Sequence, residues 1–176
     1  MRRDALLYVL EAINRHGAPG KKVMQKLVYL LQRRGIDFQF TFQMHFYGPY
    51  SSALDYALQS FERQGVITIE QRGPSSLLKI SPYTWEEVDR NCLEEELCQY
   101  LTIIDDALAE FAGKTPRELE LLTTVDFVYE ELVKRDSAVT PKGVCHIVSN
   151  LKGSKFDGAD ISEAVAKVYS CTNSKI

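Results

Sequence analysis

The stretch FQFTFQMHFYGPYSSAL, Phe38 to Leu54, constrains the fold more than any other part of the chain. In an extended backbone Phe38, Phe40, Phe42, Met44 and Phe46 fall on one side, and Gln39, Thr41, Gln43, His45 and Tyr47 on the other. Burying a phenylalanine contributes about 1.5–3 kcal/mol to folding. Stacking an exposed ring on a base contributes ~1–3 kcal/mol, and a bare row of such rings invites aggregation. The phenylalanines are therefore expected in the core or in a dimer interface, as a half-buried strand that roots the next helix. Pro49 lacks an N–H, so strand pairing is expected to end there. Tyr47 and Tyr50 flank the turn and are candidates for partner contact.

Helical patterns surround this stretch. Leu6, Val9, Leu10 and Ile13 form one stripe, ended by His16-Gly17-Ala18-Pro19-Gly20. Val23, Leu27, Leu30 and Leu31 form a second, stopped by Gly35. Ser51 or Ser52 is placed to cap a third helix that buries Ala53, Leu54, Ala57, Leu58 and Phe61. Two short strands, Val66–Ile69 and Leu77–Ile80, enclose a loop containing Gly73-Pro74. The order helix, helix, extended segment, helix, hairpin is that of a winged helix-turn-helix with an aromatic insert.

The second half reads as helices. Thr84-x-x-Glu87 is a capping box, followed by Leu97, Tyr100, Leu101, Ile104, Leu108 and Phe111 on one face. Thr115-Pro116 and Thr140-Pro141 open two more, the first striped by Leu122, Val125, Tyr129 and Leu132. Lys152 to Gly158 reads as a loop, and Asp160 is placed to cap a last helix built on Ile161, Val165 and Val168. The fold class expected is mainly α (α+β): a winged-helix-like unit with a β-hairpin at residues 1–82, packed on an acidic helical bundle at residues 83–176.

With 45% hydrophobic and 26% charged residues among 176, the chain has the composition of a globular protein. The longest apolar runs fall short of the roughly 18 residues that span a bilayer. Asp4, Glu11, Asn14 and Arg15 interrupt the apolar N-terminal segment, which reads as an amphipathic helix and the protein as cytoplasmic. The net charge of −3 divides unevenly: residues 1–82 carry +5 and residues 83–176 carry −8.

That asymmetry places any nucleic-acid contact in the front half. Lys21, Lys22 and Lys26 begin the second helix, and Arg72 lies near the hairpin, positions suited to phosphates. On the third helix Ser52, Tyr56, Gln59 and Arg63 form the outward set, with Gln59 and Arg63 able to read base edges. Asp55 and Glu62 stand beside them and would repel phosphate. The rival reading is a scaffold kept for protein contact.

Catalytic motifs are absent. The histidines lack H-E-x-x-H spacing, the four cysteines form no C-x-x-C pair, and there is no phosphate-binding or dinucleotide-binding glycine loop. Adjacent carboxylates such as Asp105-Asp106 point about 100° apart on a helix and do not converge on a metal. No metal and no cofactor is expected.

Gln25-Lys26-Leu27-Val28-Tyr29, the block Phe46-Tyr47-Gly48-Pro49-Tyr50-Ser51, and Gly65-Val66-Ile67 carry a resemblance. Over residues 1–82 the chain resembles the YwgA-like family of bacterial and archaeal proteins. It has a looser likeness to antitoxin-like domains of phage and mobile-element proteins. The resemblance implies a helix-rich regulatory module and brings no catalytic residue. Together these readings predict a non-enzymatic regulator binding double-stranded DNA through a winged helix-turn-helix, as a homodimer. The alternative is a protein-interaction module, antitoxin-like or an adaptor, with the same fold and no duplex binding.

Overall fold

The computed structural model describes residues 3–73, 75–82, 84, 90–135 and 139–173. It is a mainly α fold with two small antiparallel β-ribbons. The chain divides into two compact units: Met1–Gln43 with Ser51–Thr115, and Met44–Tyr50 with Pro116–Ile176. Residues 90–115, assigned from sequence to the back half, fall in the first unit. Seven residues of the aromatic stretch fall in the second.

In the first unit, helices α1 (Arg3–Arg15), α2 (Lys21–Arg33) and α3 (Ser52–Arg63) precede the hairpin β3 (Ile67–Arg72) and β4 (Ser75–Ile80). Helix α4 (Arg90–Phe111) packs against α1 and α2. Leu6, Leu10, Met24, Leu27, Leu31, Leu54, Leu58, Ile67, Leu78 and Ile104 are all buried. The hairpin is strapped to the connection between α1 and α2. Leu78 N–H donates to Pro19 O at 2.9 Å, and Gly20 bridges Leu77. A Cβ at Gly20 would stand 3.3 Å from Ser76 O, so the close approach favours glycine there.

The aromatic stretch is not one strand. Residues 37–42 are irregular, and only Gln43–His45 (β1) and Gly48–Tyr50 (β2) pair. Phe38 and Phe40 are buried as expected, and Phe42 meets Tyr29 edge-on at 5.2 Å between ring centroids. Phe46 departs from the pattern and is 71% exposed. It sits in the two-residue turn between β1 and β2, where alternation ends, and Gly48 follows at φ 84°. Pro49 lies inside β2 rather than ending it; a short strand in a two-stranded ribbon has one side on which a missing N–H costs nothing.

Two glutamines of α2 hold this stretch. Gln32 Nε2 donates to Phe40 O at 2.8 Å, and Phe40 N–H donates to Gln32 Oε1 at 3.0 Å. Gln25 repeats the arrangement with Ser51, both bonds 2.9 Å and buried. Ser51 Oγ in turn accepts from Leu54 N–H and caps α3.

The second unit joins the β1–β2 hairpin to α5 (Pro116–Lys134), α6 (Pro141–Lys152) and α7 (Gly158–Asn173). Its core contains Val125, Val128, Val144, Val148, Phe156, Ile161 and Val165, with Met44 of β1 packed against it. Thr140 caps α6 by accepting from Gly143 N–H. At α7 the cap is Asp157, which accepts from Asp160 N–H, so the expected cap at Asp160 moves back three residues. Thr84 donates to Val66 O at 2.7 Å; its proposed capping partner Glu87 lies outside the described residues.

Gln25→Ala should leave the buried Ser51 N–H without its acceptor, at about 1–3 kcal/mol, while Ser51 O keeps the bond it accepts from Asp55 N–H. We expect the free energy of unfolding in urea to fall by about 1–3 kcal/mol. An unchanged midpoint would show that Ser51 finds other partners.

Candidate nucleic-acid interface

Among the described residues a dense polar arrangement lies in the second unit. Helix α6 ends at Gly153, whose φ of 55° favours glycine, and a 3-10 turn, Gly153–Lys155, follows. This reversal brings Lys152 and Lys155 to the same carboxylate on α5. Lys152 Nζ lies 2.9 Å from Glu120 Oε1, with both side chains almost wholly buried. Lys155 Nζ lies 2.7 and 2.6 Å from the two Glu120 oxygens. Burial pushes the Glu120 carboxyl up, but hydrogen bonds from Lys155 and Lys152 outweigh it and hold it below its usual range. Burial pulls the Lys152 ammonium down, partly offset by Glu120.

The cluster reaches the β1–β2 turn. Lys152 Nζ also donates to Phe46 O at 2.9 Å, fixing the backbone of the exposed residue. Lys155 Nζ stands 4.9 Å from the Tyr47 ring centroid and 5.6 Å from that of Phe46. The two rings meet edge to face at 5.0 Å. Below, Arg117 lies 4.4 Å over the buried Phe156 ring, donates to Lys155 O, and stands 3.8 Å from Asp160. Two lysines against one glutamate leave one unit of positive charge under two presented rings. Aromatic faces beside cations are the elements of single-strand recognition.

The residues singled out from sequence are placed differently. Lys26 is 3% exposed, so it is withdrawn from phosphate contact. Gln59 Nε2 donates to Asp55 Oδ2 at 2.6 Å, which ties one N–H of the amide meant for a base edge to a neighbouring carboxylate. Arg63 lies 5.5 Å over the ring of Tyr56, itself 67% exposed. Lys21 is half-buried at the start of α2, Lys22 is exposed beside it, and Ser52 is exposed at the first position of α3. Arg72 is exposed at the end of β3. Tyr47 belongs to the cluster, and Tyr50 stacks at a tilt on His45, 5.5 Å away. Sequence reading misses Glu120, Lys152 and Lys155 as a group, because they are remote along the chain: Glu120 is one of many acids in the back half and the lysines fall in the expected loop. The K-x-x-K spacing at 152–155 was the one available signal.

No family model matches the chain. It is 29% identical over 142 residues to the DNA ADP-ribosyl glycohydrolase of Thermus aquaticus. That match covers 80% of this chain and 39% of the relative, so the chain spans well under half of the protein it matches. The comparison overturns the expected non-enzymatic regulator and its antitoxin-like or adaptor alternative, because the named relative is an enzyme acting on DNA. Transcription regulation has no support in it. Among the described residues no helix is long and apolar enough to cross a membrane.

Removing one partner of a buried ion pair costs about 3–5 kcal/mol, so Glu120→Gln should destabilise the fold by about 3 kcal/mol at neutral pH. The lowered Glu120 pKa also sets a sign. Its contribution is present above the ordinary value of 4.5 and is lost as pH falls through the lower folded value. Chemical unfolding between pH 7 and pH 3 should show a smaller acid loss in the variant than in the parent.

Proposed function

We propose that the chain takes part in removing ADP-ribose from DNA, as a working part of a glycohydrolase, and that the Phe46–Tyr47 ledge over Lys155 contacts the nucleic-acid strand. The reaction class is supported by the Thermus aquaticus relative. The contact surface is supported by one observation above the others: a phenylalanine 71% exposed, its carbonyl held by a buried lysine. An exposed ring is normally a liability, and its position is maintained here at the cost of burying charge.

Hydrolysis of a glycosidic bond generally uses a carboxyl group that gives or takes a proton. Glu120 does not fit that role, since both its oxygens accept from lysine ammonium groups and its carboxyl is held ionised. Its part is to gather Lys152 and Lys155 beneath the turn. Lys155, the more exposed of the two, then attracts phosphate, and the rings offer faces to unstacked bases.

The test uses a fluorescein-labelled single-stranded oligonucleotide with and without one ADP-ribosylated base. Binding is followed by anisotropy and released ADP-ribose by chromatography. We expect affinity to fall with rising salt, by about 0.7 log units per phosphate contact for each log unit of salt. Phe46→Ala should weaken binding about tenfold, the equivalent of ~1.4 kcal/mol of stacking, with an unchanged circular dichroism spectrum. Equal affinity in that variant removes the ledge from the interface. A chain that neither binds the modified strand nor releases ADP-ribose overturns the whole reading.

A further inference from the structure

The first unit contains a cavity of about 430 Å³ that no part of the DNA-contact argument uses. Its size lies within the range of small-ligand sites. Buried Phe38, Phe40 and Phe61 form its inner wall, with the first two rings stacked at 6.2 Å. Tyr56 and Ser60 of α3 and Gln39 form its rim. Three features separate it from an ordinary surface groove.

The first is backbone strain. Gln39 has φ 58°, the only non-glycine residue with positive φ among the described residues. Side chains rarely adopt that conformation, and such strain gathers at ligand sites. Asp37 holds it, accepting from Gln39 N–H at 3.2 Å and from Nε2 at 3.3 Å. With Nε2 on Asp37, the amide's Oε1 is the acceptor that Gln39 can offer at the exposed rim. The second feature is the exposed Tyr56 ring, a stacking face on the rim. The third is the Arg63 guanidinium 5.5 Å from that ring, a cation beside an aromatic wall.

We propose that this cavity is a purine-base site: the ring packs among the phenylalanines and Tyr56, Gln39 accepts from its amino edge, and Arg63 meets the attached phosphate. An aliphatic ligand would use neither the amide nor the cation. Which purine enters rests on the function proposed above: the adenine of an ADP-ribosyl group, or a base of the strand. The cavity itself does not rest on that reading.

The test is titration of the full chain with adenosine, ADP-ribose, ribose 5-phosphate and oligodeoxyadenylate, followed by amide chemical shifts. Adenosine and ADP-ribose should shift residues 38–40 and 56–61, and ribose 5-phosphate should not. Tyr56→Ala should weaken adenosine at least fivefold. Arg63→Ala should weaken ADP-ribose several-fold more than adenosine. Gln39→Gly relieves the strained φ, so it should melt no lower than the parent yet bind adenosine several-fold less tightly. ADP-ribose binding above oligodeoxyadenylate supports the modification as the source of the purine; the reverse order supports the strand. Absence of adenosine-induced shifts at these residues, or parental affinity in Gln39→Gly, overturns the site. Neither result depends on DNA contact at Phe46 or on hydrolysis.

Discussion

Two side-chain amides on one helix determine how the middle of this chain is placed. Gln25 and Gln32 stand seven residues apart, close to two helical turns, so both project from the same face of α2. Each offers a donor and an acceptor to the backbone of a single residue, Ser51 and Phe40 respectively. The ends of the intervening segment are thus anchored in the first unit, while Met44–Tyr50 belongs to the second. The same anchor aligns Ser51 to cap α3. A backbone peptide removed from water without a partner would cost more than most single contacts return, so the amide pairs act as obligations of the fold.

Charge plays the corresponding part in the second unit. Glu120, Lys152 and Lys155 come from α5, the last residue of α6 and the turn after it. A buried ion pair gives little net stability against an apolar replacement, but it demands a particular geometry. Here that geometry includes the carbonyl of Phe46, and so the position of an exposed aromatic turn. The strained Gln39 and the shown ring of Phe46 bracket the irregular run between them. Both depart from local preference, and departures of that kind are expected where a chain binds something.

Helices were legible because their signals are local. Gly35, Thr140-Pro141 and the stripe through Leu54, Leu58 and Phe61 each act within a turn or two, and each reappears in the structure. The aromatic stretch misled because period-two alternation was carried through Phe46. One left-handed residue at Gln39 and a two-residue turn at Phe46–Tyr47 break the alternation, and neither is visible in a pattern of apolar positions. Lys26 misled in another way. A lysine near a helix start reads as exposed, yet neighbouring packing encloses it to 3% exposure.

The sequence by itself determined which segments are helical, where most of them begin, that a hairpin follows the third, and that the front half is basic. These follow from side-chain periodicity, capping and simple charge counts, which need no knowledge of distant residues. Only the tertiary structure decided that Glu120 meets Lys152 and Lys155, that Phe46 stands in solvent, and that Gln39 is strained beside a cavity. Such facts arise where residues far apart in the chain satisfy one another's polar groups, and nothing in local spacing encodes which partner each will find.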